Sequence, residues 1–212
     1  MYEFAINAFV ILFVVTDPVG VAPVFAALCQ GAPKNYARTM AIKGTAISGL
    51  ILLFFMFGGH ALLNALGISL DAFRIAGGFF LFLISIDMVM ARQSGIRSTT
   101  PSEREEASHK DDISVFPLAI PLIAGPGTMT TLLLMMGEAN GQVPYIFTIL
   151  AVMISILLIV LLSLLTATRL MKLIGETGSN VVSRILGLLL AALAVQYMAD
   201  GIIGSFSGAP LV

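Results

Sequence analysis

The chain reads as an all-α membrane protein of six transmembrane helices, arranged as two inverted three-helix repeats with helices 1 and 4 broken. Three observations lead there. Of its 212 residues, 58% are hydrophobic and 11% charged, against roughly 25% charged in an ordinary soluble domain. Six apolar stretches are each long enough for a hydrocarbon core that needs about 20 helical residues. Two landmarks also recur at nearly one spacing in halves separated by the one long polar segment.

The stretches are 4–29, 41–63, 72–91, 113–136, 144–168 and 181–206. The first begins within "MYEFAIN", which lacks a basic residue, and it is too long for the apolar region of a cleaved signal, so it is expected to stay as a span. In the second, Gly44 and Ser48 have the small-xxx-small spacing of close helix packing, as Gly187 and Ala191 do in the sixth. Asp87, near the end of the third, reads as an ion-paired or snorkelling partner of Arg92. Arg74 and Arg184 read as anchors at the starts of the third and sixth. In the sixth, Gln196 beside Tyr197 suits a bond between helices, and Asp200 sits near the outer end. His60 and His109 have no metal-ligand pattern around them. The single cysteine, Cys29, excludes an internal disulfide or a thiolate cluster.

Ten of the eleven basic residues fall at three of the five connections: Lys34, Arg38 and Lys43; Arg92, Arg97, Arg104 and Lys110; Arg169, Lys172 and Arg184. Only Arg74 lies on the other side. Loops rich in Lys and Arg stay cytoplasmic, so both termini are expected to face outward. A net charge of -1 and a pI near 6.1 give no sign of a nucleic-acid partner.

"QSGIRSTTPSEREEASHKDD" divides the chain into a first repeat, 1–91, a cytoplasmic polar linker, 92–112, and a second repeat, 113–212. The acidic Glu103, Glu105 and Glu106 in it suit a solvated loop. "DPVG" at 17–20 corresponds to "GPGT" at 125–128, with Pro18 and Pro126 108 positions apart; "FRIAGG" at 73–78 corresponds to "SRILGL" at 183–188, with Arg74 and Arg184 110 apart. Three spans per unit is an odd number, so the second copy enters the membrane from the opposite side, as in many secondary transporters.

Both broken helices restart on a proline. Asp17 is a good N-cap and Pro18 a good first helical residue, yet they lie about 20 Å into the first apolar run at ~1.5 Å per residue. In "PLAIPLIAGPGTMTTLLLMM", Pro121 disturbs the first half, and Gly125, Pro126 and Gly127 break and restart the helix with Thr128 in its first turn. Backbone groups freed at that depth must be packed in protein or face a polar cavity, so the two breaks are expected to face each other across a central site. A bare helix N-terminus at Gly125 to Thr128 suits a carboxylate, and Asp17 suits an ammonium, a proton or sodium. An ordinary kink and a purely structural N-cap are the competing readings of these residues.

The strings "DPVGVAPVF", "PLAIPLIAGPGTMTT", "FRIAGG" and "SRILGLLLAALAVQYMADGI" resemble, in the same order and over nearly the whole chain, the MarC family of bacterial and archaeal membrane proteins within the LysE exporter superfamily. The resemblance implies a six-helix inner-membrane protein with two inverted repeats, and the carriage of small neutral amino acids that some members are described as transporting. It implies substrate contacts at Asp17, Pro18, Gly20, Gly125, Pro126, Gly127 and Thr128. Metal-ion exporters in the superfamily keep cation export open.

Taken together, the sequence predicts a secondary transporter of a small polar solute, most simply a small neutral amino acid, working by alternating access around a midplane site. The alternatives are a metal-cation or other small-solute exporter and a non-transport membrane protein. No GxxxxGK[ST] string is present, so ATP is not the expected driver; a proton or sodium gradient coupled through Asp17 is. An enzyme would need an acid-base or metal group at one depth, which His60, Asp87 and Asp200 do not form, so neither catalysis nor a cofactor is expected. The expected partners are the solute, the coupling ion and the lipid bilayer.

Overall fold

A computed structural model describes residues 1–91 and 112–207. Most of the polar linker, with its acidic run, His109 and Arg92, Arg97, Arg104 and Lys110, lies outside the described residues. Among those described the chain is helical, without strands: α1 (Tyr2–Thr16), α2 (Pro18–Leu28), α3 (Lys34–Ala65), α4 (Leu70–Val89), α5 (Ser114–Ile123), α6 (Pro126–Ala139), α7 (Val143–Leu165) and α8 (Ala167–Ser207). Five segments are long and apolar enough to cross a membrane: Tyr2–Leu28, Asn35–Ala65, Leu70–Val89, Val143–Leu165 and Thr177–Phe206. The pair α5 and α6, bent by 56°, makes a sixth if it is one span. Large apolar side chains such as Leu50, Phe54, Phe147, Leu188 and Ile203 cover the outside, as a surface solvated by lipid requires.

Inside are two apolar clusters. Leu12, Phe25, Met56, Leu118, Leu132 and Ile149 belong to the larger, which draws on α1, α2, α3, α5, α6 and α7. Val15, Leu81, Ile84, Leu134 and Leu190 belong to the smaller, where α1, α4, α6 and α8 meet. Close packing at small residues is as expected. A side chain on Gly44 would strike Leu118, and one on Gly187 would strike Met88 and Val89 of α4.

Two elements differ from the sequence expectation. The first half of the fourth apolar stretch is not a regular half-helix disturbed at Pro121 alone. α5 is wound wide, and both Phe116 (φ -130°, ψ 126°) and Ile120 (φ -122°, ψ 127°) are extended. Each precedes a proline, whose ring drives the preceding residue out of the α region. The second difference is α8, which starts at Ala167 rather than near 181 and is interrupted at Gly175 (φ 70°, ψ 174°). The fifth connection is therefore largely helical.

The start of α5 is tied to α3 by the Lys43 to Asp112 ion pair at 3.2 Å. Asp112 also accepts hydrogen bonds from the Ser114 hydroxyl and backbone N–H, which hold its carboxyl below the usual carboxylate range. Both partners of the ion pair are about half exposed, so the pair itself adds little stability.

Candidate functional site where the interrupted spans meet

α1 and α2 are separated by one residue. Asp17 has φ 47° and ψ 66°, a left-handed conformation that aspartate tolerates better than most residues. It ends α1 by donating its N–H to the Phe13 carbonyl at 2.9 Å, and it starts α2 through its own carbonyl, which accepts from Val21 N–H at 3.1 Å. Pro18 has no N–H with which to continue α1. The Asp17 side chain then caps α2, with Oδ1 accepting from Gly20 N–H at 3.0 Å. Fifteen helical residues precede the interruption and eleven follow it.

The capped turn is also held from outside. Ser183 of α8 donates to Asp17 Oδ2 at 3.3 Å, Ser163 of α7 donates to the Pro18 carbonyl at 2.7 Å, and Ser179 of α8 donates to the Val19 carbonyl at 3.5 Å. Asp17 is 4% exposed. Gly20 is required by this arrangement, because a Cβ there would lie 2.1 Å from Asp17 Oδ2 and 3.0 Å from Ser183 Oγ.

The α5 to α6 junction is built differently. Gly125 is the N-cap of α6 in an extended conformation (φ -79°, ψ 170°), Pro126 is the first helical residue, and no side chain caps the N-terminus. Thr128 instead turns its hydroxyl back to the Ile123 carbonyl at 3.1 Å. Gly127 sits where a Cβ would be 2.9 Å from Leu81, 3.1 Å from Ile84 and 3.2 Å from Val15.

The two junctions are neighbours. Val15 lies against Gly127, and Thr16 and Thr128 line one cavity together with Leu12, Leu52, Met153, Ile156 and Leu157. Its free volume is about 10 Å³, room for about one water. Of the seven candidate residues, Thr128 lines the cavity and Gly127 packs beside Val15 at its edge. Asp17, Pro18 and Gly20 face the serines of α7 and α8. Gly125 is packed against the Pro121 carbonyl, and Pro126 opens α6. Buried polar side chains extend along α6 through Thr130 and Thr131; the Thr131 hydroxyl has no hydrogen-bond partner among the described residues.

Sequence reading did not find Thr16, Ser163, Ser179 or Ser183. Isolated serines in apolar helices have no local signature, and these three act across 145 to 166 residues of sequence. A second polar group also assembles from residues read singly. Arg74 pairs with Asp71 at 2.9 Å, Gln196 donates to Asp200 at 2.7 Å, and Glu138 and Tyr197 lie within electrostatic reach of Arg74 and Asp200. Gln196 thus bonds within its own helix, not to another.

The cap makes a separable expectation. Asp17→Ala should lower stability by about 1 kcal/mol, the usual value of an N-cap, whereas Asp17→Asn keeps the acceptor oxygen and should stay close to the parent. Thermal unfolding in detergent reads both. Equal losses would show that the charge, not the cap, is what the fold uses.

Five apolar helical segments long enough to cross a membrane, or six with the bent pair, define a polytopic helical membrane protein. The chain belongs to the MarC family of integral membrane proteins, whose family model matches residues 2–206. It is 35% identical over 209 residues to the UPF0056 membrane protein YvbG of Bacillus subtilis, covering 97% of each chain. It is 41% identical over 204 residues to MJ1677 of Methanocaldococcus jannaschii, covering 96% of this chain and 98% of that one. The UPF0056 inner membrane protein YhgN of Escherichia coli is 32% identical over 93% of this chain and 95% of its own. No solved structure is significantly similar.

Proposed function

We propose that the protein is a secondary transporter of small neutral amino acids in the inner membrane of a bacterial cell, alternating access around the place where the two interrupted spans meet. The observation that carries this reading is that the residues flanking two proline-initiated helix starts meet inside apolar spans, Val15 lying against Gly127 and Thr16 and Thr128 lining one small cavity. Interrupted backbone costs several kcal/mol per unsatisfied group in lipid and persists where it lines a site. The Thr131 hydroxyl, without a hydrogen-bond partner among the described residues and one turn from Thr128 on the same helix face, adds a buried donor for a polar solute to satisfy.

The order of elements supports an inverted repeat. An interrupted pair is followed by two longer helices in each half: α1 with α2, then α3 and α4; and α5 with α6, then α7 and α8. With three spans each, the halves enter from opposite faces and both termini lie in the periplasm. The solute carboxylate is read by the N-terminus of α6, which no side chain caps, and the ammonium by Asp17 once its carboxylate turns from Ser183 toward the cavity. The cavity is closed to anything larger than water in this arrangement, so passage requires one half to rock against the other. A proton or sodium gradient drives it.

Exchange of labelled alanine, glycine, serine and threonine in proteoliposomes under a pH gradient tests the reading. Saturable counterflow is expected, reduced about tenfold in Thr128→Val and retained in Thr128→Ser, since a lost buried hydrogen bond of about 1 to 1.5 kcal/mol corresponds to a factor of that order. No flux of any of the four through folded protein would overturn the amino-acid assignment, and saturable flux of a metal cation in its place would assign cation export.

A further inference from the structure

The seam between α2 and α8 is closed at one end and open at the other. Near Asp17 it is fastened by Ser179 and Ser183. Beyond Gly175, whose positive φ takes the chain out of the line of the span, the stretch 167–174 and the end of α2 flank an open cleft of about 510 Å³. That lies within the ~300 to 1,000 Å³ typical of small-molecule sites. Ala26, Cys29 and Met171 form its apolar wall; Gln30, Thr168 and Lys172 are its polar side.

Depth and charge narrow the occupant. The apolar spans on either side end at Leu28 and begin at Thr177. Lys172 lies outside the second of these, beyond the interruption at Gly175, and Cys29 and Gln30 on the facing wall lie just past the end of the first, so the cleft sits at the end of the spans, at headgroup rather than mid-hydrocarbon depth. Leu173 beside it is 85% exposed, as in a stretch lying at a membrane interface with apolar and basic residues side by side. Thr168 and Lys172 are four apart and share a helix face. Lys172 forms no salt bridge among the described residues, and it sets an ammonium beside the apolar wall of the cleft. Basic pockets between helices at this depth bind phosphate headgroups.

We propose that this cleft holds the phosphodiester headgroup of an anionic membrane lipid, with the phosphate on Lys172 and Thr168 and the start of an acyl chain along Ala26 and Met171. The occupant bridges the end of α2 to the stretch before Gly175. The apolar wall and the depth favour lipid over a soluble phosphate ester, and the inference does not depend on what the protein transports.

The test is thermal unfolding and native mass spectrometry of the whole protein in detergent, with phosphatidylglycerol, phosphatidylcholine and glycerol 3-phosphate as the probes. Phosphatidylglycerol should raise the unfolding midpoint and remain as a one-to-one adduct, while phosphatidylcholine does neither. Lys172→Gln should weaken phosphatidylglycerol binding about fivefold, Lys172→Arg should retain it, and Arg169→Gln, outside the cleft lining, should leave it unchanged. Equal effects of the two lipids, or an unchanged affinity in Lys172→Gln, would overturn the proposal. Displacement of phosphatidylglycerol by equimolar glycerol 3-phosphate would assign the cleft to a soluble phosphate ester instead.

Discussion

Gly125→Ala is expected to destabilise the protein by about 3 kcal/mol and to abolish any flux through it. The backbone at Gly125, φ -79° and ψ 170°, is one that alanine adopts freely, so the penalty is steric and not conformational. A Cβ built there would stand 2.4 Å from the Pro121 carbonyl oxygen. That oxygen cannot retreat easily. Pro121 follows an Ile120 already held extended by the proline ring, and Ala124 N–H bonds the Ala119 carbonyl at 2.8 Å across the same turn. Inserted methylenes cost typically 1 to 3 kcal/mol in a packed interior, and a backbone obstacle places this one at about the top of that range. Gly127→Ala is the comparison, because its obstacles are side-chain methyls of Leu81, Ile84 and Val15 and not backbone, and its loss should be about 1 kcal/mol. Thermal unfolding of both variants in detergent reads the order. Gly127→Ala proving the more damaging would show that the α5 to α6 bend is not the tight point.

What made these junctions legible in sequence is that their chemistry is local. An aspartate before a proline, and a glycine before a proline, announce a helix start whatever surrounds them, and α2 and α6 begin at Pro18 and Pro126 as expected. The partners were not legible. Ser183 lies 166 residues from the carboxylate it bonds, and nothing in an apolar helix distinguishes that serine from Ser155, which bonds only its own helix at the Ala151 carbonyl. The irregular winding of α5 is legible in its prolines, since Phe116 and Ile120, the two extended residues, each precede one, and Pro117 acts there as Pro121 does. The early start of α8 was missed for another reason. Hydropathy marks where a helix lies in lipid, whereas the residues from Ala167 to Ile174 form a helical stretch of their own before the interruption at Gly175. Small-residue spacing indicated close packing at Gly44 and Gly187 while leaving open that the neighbours are Leu118 and Met88.

The same distinction between a yielding neighbour and a fixed one gives the largest stability effect expected away from the candidate site. Gly78 of α4 faces α8 so closely that a Cβ would meet the Ala194 carbonyl oxygen at 2.8 Å and the Met198 backbone nitrogen at 3.0 Å, with Met198 Cγ at 2.7 Å. Two of the three obstacles are helix backbone, so Gly78→Val can be accommodated only by moving α4 and α8 apart. That would disturb Leu81, Ile84 and Leu190 in the smaller apolar cluster at once. A loss of about 3 kcal/mol or more is expected, read as a lower unfolding midpoint and a smaller folded yield in detergent. Gly58 of α3 is the control: its nearest neighbour is the Phe54 ring at 3.7 Å, ordinary contact distance. Gly58→Ala should therefore be neutral or stabilising by about 0.5 to 1 kcal/mol, the usual advantage of alanine within a helix. Equal stability of the two variants would mean that α4 and α8 do not pack at backbone contact. With Gly58→Ala unharmed and Gly78→Val unfolded, the seam between the third helices of the two halves would be fixed as a rigid contact, and any rocking motion would have to leave it intact.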